Sequence, residues 1–324
     1  MRRAALLLCV VMVSCAGSGG AGPSPTAAPG PTSAGPTSTG PAGPTPTRPP
    51  GSTTTTGPPV ATLLAAGDIA SCNSTGDEAT AALLDARPNA QVATLGDNVY
   101  ESGTPAEFAN CFEPTWGRHK ARIRPALGNQ EYGVFRAGGY YAEFGPAAGD
   151  APLGWYSYDL ATWHIVVLNS NCDTVGCATG GTQEKWLRDD LAAHPARCTL
   201  AIWHHPRFTS GTVRGPNPNV TPLYAALYDA GVELLLTAHE NNYERFAPLN
   251  PAGQPDDVRG VREFVVGTGG RGHDPLGPPA PGSEVRNDNT FGLLVLTLRP
   301  TSYQWQFAPE AGKSFTDSGS TNCH

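Results

Sequence analysis

The chain has 324 residues and a formal net charge of −7, from 21 Lys and Arg against 28 Asp and Glu. That charge, with no Lys/Arg run, argues against a nucleic-acid surface. Eight cysteines in such a chain fit an oxidising compartment better than a reducing one.

Met1-Arg2-Arg3 is a basic start, and the apolar run Ala4 to Val13 is too short to span a bilayer comfortably. Residues 1–14 read as a signal segment. Ser14-Cys15-Ala16 then resembles a bacterial lipoprotein signal, which implies lipidation at Cys15. Met12 departs from the usual aliphatic residue three before that cysteine, so ordinary secretion with nearby cleavage stays open. Residues 15–59 are almost wholly Gly, Pro, Ser, Thr and Ala, with one charge, Arg48. Such a stretch cannot bury enough apolar surface to offset chain entropy and reads as a disordered linker. Val60 to His324 is globular in composition, enough for one sizeable α/β domain and awkward for two.

Within that domain lie Cys72, Cys111, Cys172, Cys177, Cys198 and Cys323. An even set in an exported domain suggests three disulfides, and no C-x-x-C pair favours zinc. Six cysteines allow fifteen pairings. The pairing expected here is Cys72–Cys111, Cys172–Cys177 and Cys198–Cys323.

Val60 to Ala66 reads as the first strand, stopping at Gly67-Asp68. Asp77 to Ala86 carries Ala79, Leu83 and Ala86 at helical spacing. Gln91 to Leu95 is a strand that stops at Gly96-Asp97-Asn98. Pro105 to Cys111 starts as a helix behind Thr-Pro. Ile123 to Leu127 is a weaker strand, which Pro125 confines to an edge, and it stops at Gly128-Asn129-Gln130-Glu131. Trp155 to Leu160 and Trp163 to Asn169 pair around Ala161-Thr162. Gln183 to Ala193 is a helix. The strand Thr199 to Trp203 ends at His204-His205-Pro206. Thr221 is expected to cap a helix with Pro222 at its first position and Gly231 at its end. Val232 to Leu236 is a buried strand that empties into the polar cluster His239 to Arg245. Val261 to Val266 leads into the loop Gly267 to Gly272, which lacks the Lys-Ser/Thr and following helix of a phosphate loop and reads as a turn. Phe291 to Leu298 and the alternating Tyr303, Trp305 and Phe307 close the chain as a hairpin.

Five times an extended segment ends and a metal-ligand type follows: Asp68, Asp97, Asn129, His204 and His239. A single Asp there is turn chemistry. Five at strand ends that a sheet would gather along one edge exceed it, and mixed carboxylate, amide and imidazole donors suit borderline-to-hard cations. The bland readings sit beside this one. His164 is a structural core histidine, His205 faces substrate or packs, and Arg118 and His119 lie in a solvated loop with phosphate as the rarer use. His194, His273 and His324 carry no signal. Asn73-Ser74-Thr75 and Asn219-Val220-Thr221 match glycosylation acceptors, which a bacterial signal disfavours. No Gly-x-Ser-x-Gly elbow is present.

Gly67-Asp68, Gly96-Asp97-Asn98-x-Tyr100, Gly128-Asn129-x-Glu131, His204-x-Pro206 and His239…Tyr243-Glu244-Arg245 together resemble the ordered motifs of calcineurin-like metallophosphoesterases, nearest the purple acid phosphatase branch. The resemblance spans nearly all of Val60 to His324 and implies a four-layer α/β/β/α sandwich of two mixed sheets. It implies two divalent or trivalent metal ions, Fe, Mn, Zn or Mg, bridged by Asp97. One takes Asp68, Asp97 and Tyr100, and the other Asp97, Asn129, His204 and His239. The implied activity is hydrolysis of phosphomonoesters by attack of a metal-bound hydroxide, with a small phosphorylated substrate. The protein is further expected to bind no nucleic acid, to meet a membrane only through Cys15, and to be an exported monomer, lipid-anchored or secreted.

Two positions depart from the family pattern. Gln130 stands where the family has a histidine that contacts phosphate, and Asn241 stands where it has a ligand of the first metal. Gln130 donates a hydrogen bond but no proton, a loss on the order of 10²–10⁴ in rate if that proton matters. Asn241 offers a harder, weaker oxygen, which favours Mn, Mg or Ca over Zn or leaves the first metal loosely held. Glu240, adjacent, points away from the ligand cluster on the loop geometry usual for neighbours. The catalytic set is therefore Asp97, Gln130 and His205, and the competing reading is a surface binding protein that kept the fold and lost efficient turnover.

Overall fold

The computed structural model describes Pro59 to His324. The signal segment, Cys15 and all of the linker but Pro59 lie outside the described residues.

The apolar runs become strands at nearly the expected bounds. In chain order they are β1 (Ala61–Ala66), β2 (Gln91–Leu95), β3 (Ile123–Ala126), β4 (Tyr156–Leu160), β5 (Trp163–Val167), β6 (Cys198–Ile202), β7 (Leu234–Thr237), β8 (Tyr243–Leu249), β9 (Val261–Val266), β10 (Ser283–Asn287), β11 (Gly292–Arg299), β12 (Ser302–Pro309) and β13 (Ser318–Asn322). They form a six-stranded sheet in the order β13-β12-β11-β1-β2-β3 and a seven-stranded sheet in the order β10-β8-β9-β7-β6-β5-β4. Both are mixed. β1, β2 and β3 run parallel, while β11 is antiparallel to β1. β5, β6, β7 and β9 run parallel, flanked by antiparallel β4 and β8. β3 sits at the sheet edge, where Pro125 withholds no ladder donor that a neighbour needs.

Side chains alternate across a strand, and here each face has a use. Ile165, Val167, Leu200, Ile202, Leu234 and Leu236 join the core between the two sheets, with Leu63, Val92 and Leu294 from the other side. Val166, Ala201 and Leu235 point the opposite way, onto Leu187, Leu223 and Leu227. Those leucines come from the helices Thr182–Ala193 and Thr221–Asp229. Ala81 and Leu84, from the helix Gly76–Asp85, cover the first sheet. The result is the expected α/β/β/α sandwich.

The three disulfides pair as expected: Cys72–Cys111, Cys172–Cys177 and Cys198–Cys323. The last ties β6 to the segment after β13 across a sequence separation of 125, the most constraining of the three on chain-entropy grounds.

Four local expectations need correction. Thr221 is not an N-cap: its hydroxyl donates to the Pro218 carbonyl at 2.6 Å. A 3₁₀ turn, Pro218–Val220, runs straight into the helix, and the cap is Asn217, whose side chain accepts from the Asn219 N–H. The Pro105 helix keeps one α-turn and continues as a π-turn over Phe108–Phe112. Tyr243 to Arg245 is the start of β8 rather than a loop. Arg118 and His119 lie on a 3₁₀ segment, Trp116–Arg122, rather than in a loop, and both are tied to Asp85 on the Gly76–Asp85 helix.

Candidate metal centre

The parallel strands of both sheets end toward one edge, and that is where the five deliveries meet. Asp68, Asp97, Asn129, His204 and His239 follow β1, β2, β3, β6 and β7. Three of them hold left-handed backbones, with φ of +56° at Asp68, +48° at Asp97 and +71° at His239. Asp and His tolerate that region better than branched residues, and such strain gathers at functional sites. The approach of the loops is close. A Cβ on Gly128 would lie 2.1 Å from Asp97 Oδ1, and one on Gly96 would lie 2.7 Å from His204 Nδ1.

His204 is fully buried. Its Nδ1–H donates to the Leu95 carbonyl at 2.8 Å, which aims Nε2 at the centre. Around Nε2 stand Asn129 Oδ1 at 3.2 Å, His239 Nδ1 at 3.0 Å and Asp97 Oδ2 at 3.4 Å. Burial pushes the His204 imidazole down, but the Asp97 charge and hydrogen bond outweigh it and raise it to about 9. A proton so held, ringed by three acceptors, occupies a place that attracts positive charge.

Tyr100 defines the other half. Its hydroxyl lies 2.6 Å from Asp68 Oδ1 and 3.0 Å from Asp97 Oδ2. Asp68 Oδ2 accepts the His239 backbone N–H at 2.8 Å. Burial lifts the Asp68 carboxyl to about 6. Burial acts on Asp97 too, yet the charge and hydrogen bond of His204, with the Gln130 N–H, hold it well below the usual carboxylate range. Burial, then the Asp68 and Asp97 charges, push the Tyr100 hydroxyl well up. Asp68, Asp97 and His204 offer ligand atoms within 4.8 Å of one another, as do His204, His205 and His239.

These residues fit a cation. Two carboxylates, an amide oxygen and two imidazole nitrogens converge with one imidazole tautomer already set by a backbone carbonyl. Asn241 is buried, and its side-chain oxygen has no hydrogen-bond partner. Its neighbour Asn242 shares that condition, for which we have no account. Gln130 contributes its backbone N–H, 2.8 Å from Asp97 Oδ1.

Sequence reasoning missed the residues that hold the ligands. Glu131 appeared in a motif without a role. Its buried carboxylate accepts the N–H groups of Asp97 at 3.1 Å, Asn98 at 2.7 Å and Gly128 at 2.6 Å, binding two ligand loops together. Glu240 is turned from the ligand cluster, as expected. It accepts the N–H of Arg214 at 2.8 Å and that of Gly215. Ser170 was not singled out at all. Its oxygen accepts the N–H of His204 at 3.2 Å and of His205 at 2.9 Å. Its single proton therefore goes to His205 Nδ1, 2.8 Å away, and His205 carries its own hydrogen on Nε2. Burial, then the His204 charge, lowers His205 to about 3, so it stays neutral. His205 and Asn129 line a cleft of about 260 Å³ beside the centre, with Asn171, Thr174, Asn217 and Asn219.

His164 is structural. Buried, it lies between Asp159 at 3.0 Å and Asp190 at 2.8 Å. The Gly267–Gly272 loop is a turn, but one packed on the centre: a Cβ on Gly267 would fall 2.6 Å from Asp68 Oδ2.

Comparison with known proteins bears on the fold. No family model matches the chain. Purple acid phosphatase 21 of Arabidopsis thaliana is 25% identical over 190 residues, 52% of this chain and 42% of that protein. The chain thus spans less than half the length of the curated relative it matches. The purple acid phosphatase PPD1 from yellow lupin (Lupinus luteus) seeds superposes with a TM-score of 0.67 at 16% identity, over 82% of this chain and 54% of that one. The fold is that of a calcineurin-like metallophosphoesterase, purple acid phosphatase-like. The same metallophosphoesterase fold matches GAP50, described as the anchor in the inner membrane complex of Plasmodium, with a TM-score of 0.65 at 15% identity over 82% of this chain and 89% of that one. PhoD matches with a TM-score of 0.56 at 14% identity, over 82% of this chain and 70% of that one.

Proposed function

We propose that the protein is an exported, metal-dependent phosphoesterase acting on small phosphomonoesters. The observation that carries the reading is the convergence of Asn129, Asp97 and His239 on His204 Nε2, next to the Asp68–Tyr100–Asp97 cluster. Asp97, Asn129, His204 and His239 would hold one cation. Asp68, Asp97 and Tyr100, with the Asn241 oxygen, would hold a second. Such cations, when bound, would supply an activated water and neutralise phosphoryl oxygens.

The chain's own residues do the rest. The Gln130 N–H fixes one oxygen of Asp97, leaving the other for the centre. Leu95 sets the His204 tautomer. Ser170 sets that of His205, so a neutral Nε2–H faces the cleft and donates to the ester or leaving-group oxygen without giving up its proton. A leaving group then departs with little acid assistance, which favours esters of acidic alcohols. Export is supported by three disulfides and the signal-like N-terminus. Among the described residues no helix is long and apolar enough to cross a membrane, and Cys15 is the proposed lipid anchor, with a freely secreted form the other outcome.

The test is metal content together with hydrolysis of an activated aryl phosphate, for the native chain and for Gln130→His/Asn241→His. Hydrolysis that depends on added metal and rises in the double variant is expected. A native chain that binds at most one metal and hydrolyses nothing would sink the enzyme reading. It would favour a second one, a surface binding protein, which Gln130, Asn241 and the anchor role of GAP50 support.

A further inference from the structure

We propose that Arg214 and Arg271 form an anion clamp on the Asp68–Tyr100 half of the centre, gripping the phosphoryl group of the substrate. The inference rests on the phosphoesterase reading and deepens it.

Arg214 is anchored at both ends to the loop that carries His239 and Asn241. Its backbone N–H, with that of Gly215, is held by the Glu240 carboxylate. The loop before it lies directly on that residue, since a Cβ on Gly211 would fall 2.3 Å from the Glu240 carboxyl carbon. The guanidinium pairs with Asp274. Asp274 in turn donates its N–H to the Asn241 carbonyl at 2.9 Å and accepts the Asn241 N–H at 3.4 Å.

Arg271 reaches the same half from the glycine-rich loop, three residues before Asp274. Its N–H donates to the Asp68 carbonyl at 2.9 Å. Its guanidinium lies 5.0 Å from the centre of the Tyr100 ring, and Nη2 bonds Glu101 at 2.7 Å. Nε has no partner. The two side chains are 28% and 32% exposed, so each keeps N–H groups for an arriving anion.

A guanidinium has five donors in a planar fork suited to phosphate, and neither carboxylate partner uses them all. Asp68, Tyr100 and His239 all feel the Arg214 charge. By contrast, no Lys or Arg lines the cleft on the His205 side. Positive side chains are thus gathered beside the loop of Asn241, the residue that stands where the family pattern has an imidazole. The phosphoryl oxygens bind there, and a neutral polar leaving group takes the amide-lined cleft.

The probe is inorganic phosphate, titrated calorimetrically into the metal-loaded full chain. Arg214→Gln and Arg271→Gln should each weaken binding about tenfold, with metal content and melting temperature unchanged. Arg214→Lys should recover part of the loss, and Arg118→Gln, tied to Asp85 elsewhere, should lose nothing. If the native chain binds phosphate and both Gln variants bind it within about twofold, the clamp is wrong while the phosphoesterase reading stands. If the native chain binds no phosphate, both fall.

Discussion

The two halves of the centre are built alike and equipped differently. On the His204 side three groups have a second partner: the Leu95 carbonyl behind His204, the Gln130 N–H behind Asp97, and the Ser170 oxygen beneath the His204–His205 backbone. On the Asp68 side Tyr100 ties two carboxylates together, and the Asn241 oxygen, which the resemblance assigns to that side, is left without a partner. Yet both halves keep their shape. The loops are fastened by buried carboxylates that are not ligands: Glu131 under the Asp97 and Asn129 loops, Glu240 under the Arg214 loop, and Glu244 under Ser210. On the proposed reading architecture and metal affinity would be separable, so that exchanging a ligand on one side would leave the other standing.

The strongest way to break that separation is to remove a fastener. Glu131→Ala leaves three buried N–H groups unpaired, and we expect a loss of about 3–5 kcal/mol in urea unfolding, with both halves losing metal. Asp97→Asn comes next. It keeps the fold, but metal affinity falls by about 100-fold or more because the shared ligand and its charge are gone, as equilibrium dialysis would register. The His204 imidazole, freed of the charge that raises it, should titrate lower by NMR in the metal-free variant. Asn241→His acts on one half alone. It should strengthen the weaker metal by about tenfold and leave the stronger one unchanged, visible as a second equivalent of bound metal.

The smallest effect separates fasteners from ligands by pH. Two further buried fasteners are Glu233, which accepts the Thr199 N–H, and Glu263, which accepts those of Arg207 and Phe208; burial raises their carboxyls from 4.5 to about 7 and about 8. Between those limits the folded chain holds protons that the unfolded chain has released, so their effect on stability worsens as pH rises through that window. The metal-free melting temperature should be a few degrees higher near pH 5 than near pH 8, and Glu263→Gln should flatten the difference. Adding metal should not restore it.

Much of this was legible in the sequence. Apolar runs ending in Asp, Asn or His placed five candidate ligands of three residue types at strand ends of the two sheets, because burial on both faces erases the polar alternation and makes such strands conspicuous. What escaped notice was polar and paired. β10 and β13, with sequences SEVRN and SGSTN, lie at sheet edges and carry no apolar stripe. β8 hides Glu244 behind Ser210 and Ser283, so its polar residues read as loop. Ser170, Glu131 and Arg214 act through backbone donors and distant partners, and neither residue type nor spacing announces that. The Thr221 cap failed because a proline turn upstream had already satisfied the helix start.

The left-handed backbones of Asp68, Asp97 and His239 carry a consequence for repair. Glycine is the residue most at ease in that conformation, so His239→Gly should leave the loop in place and open a partly buried hole the shape of an imidazole. Free imidazole from the buffer could then dock where the side chain was, and regained metal content would report its arrival. The centre would become one whose ligand is supplied from solution, switched by a small molecule rather than by a mutation.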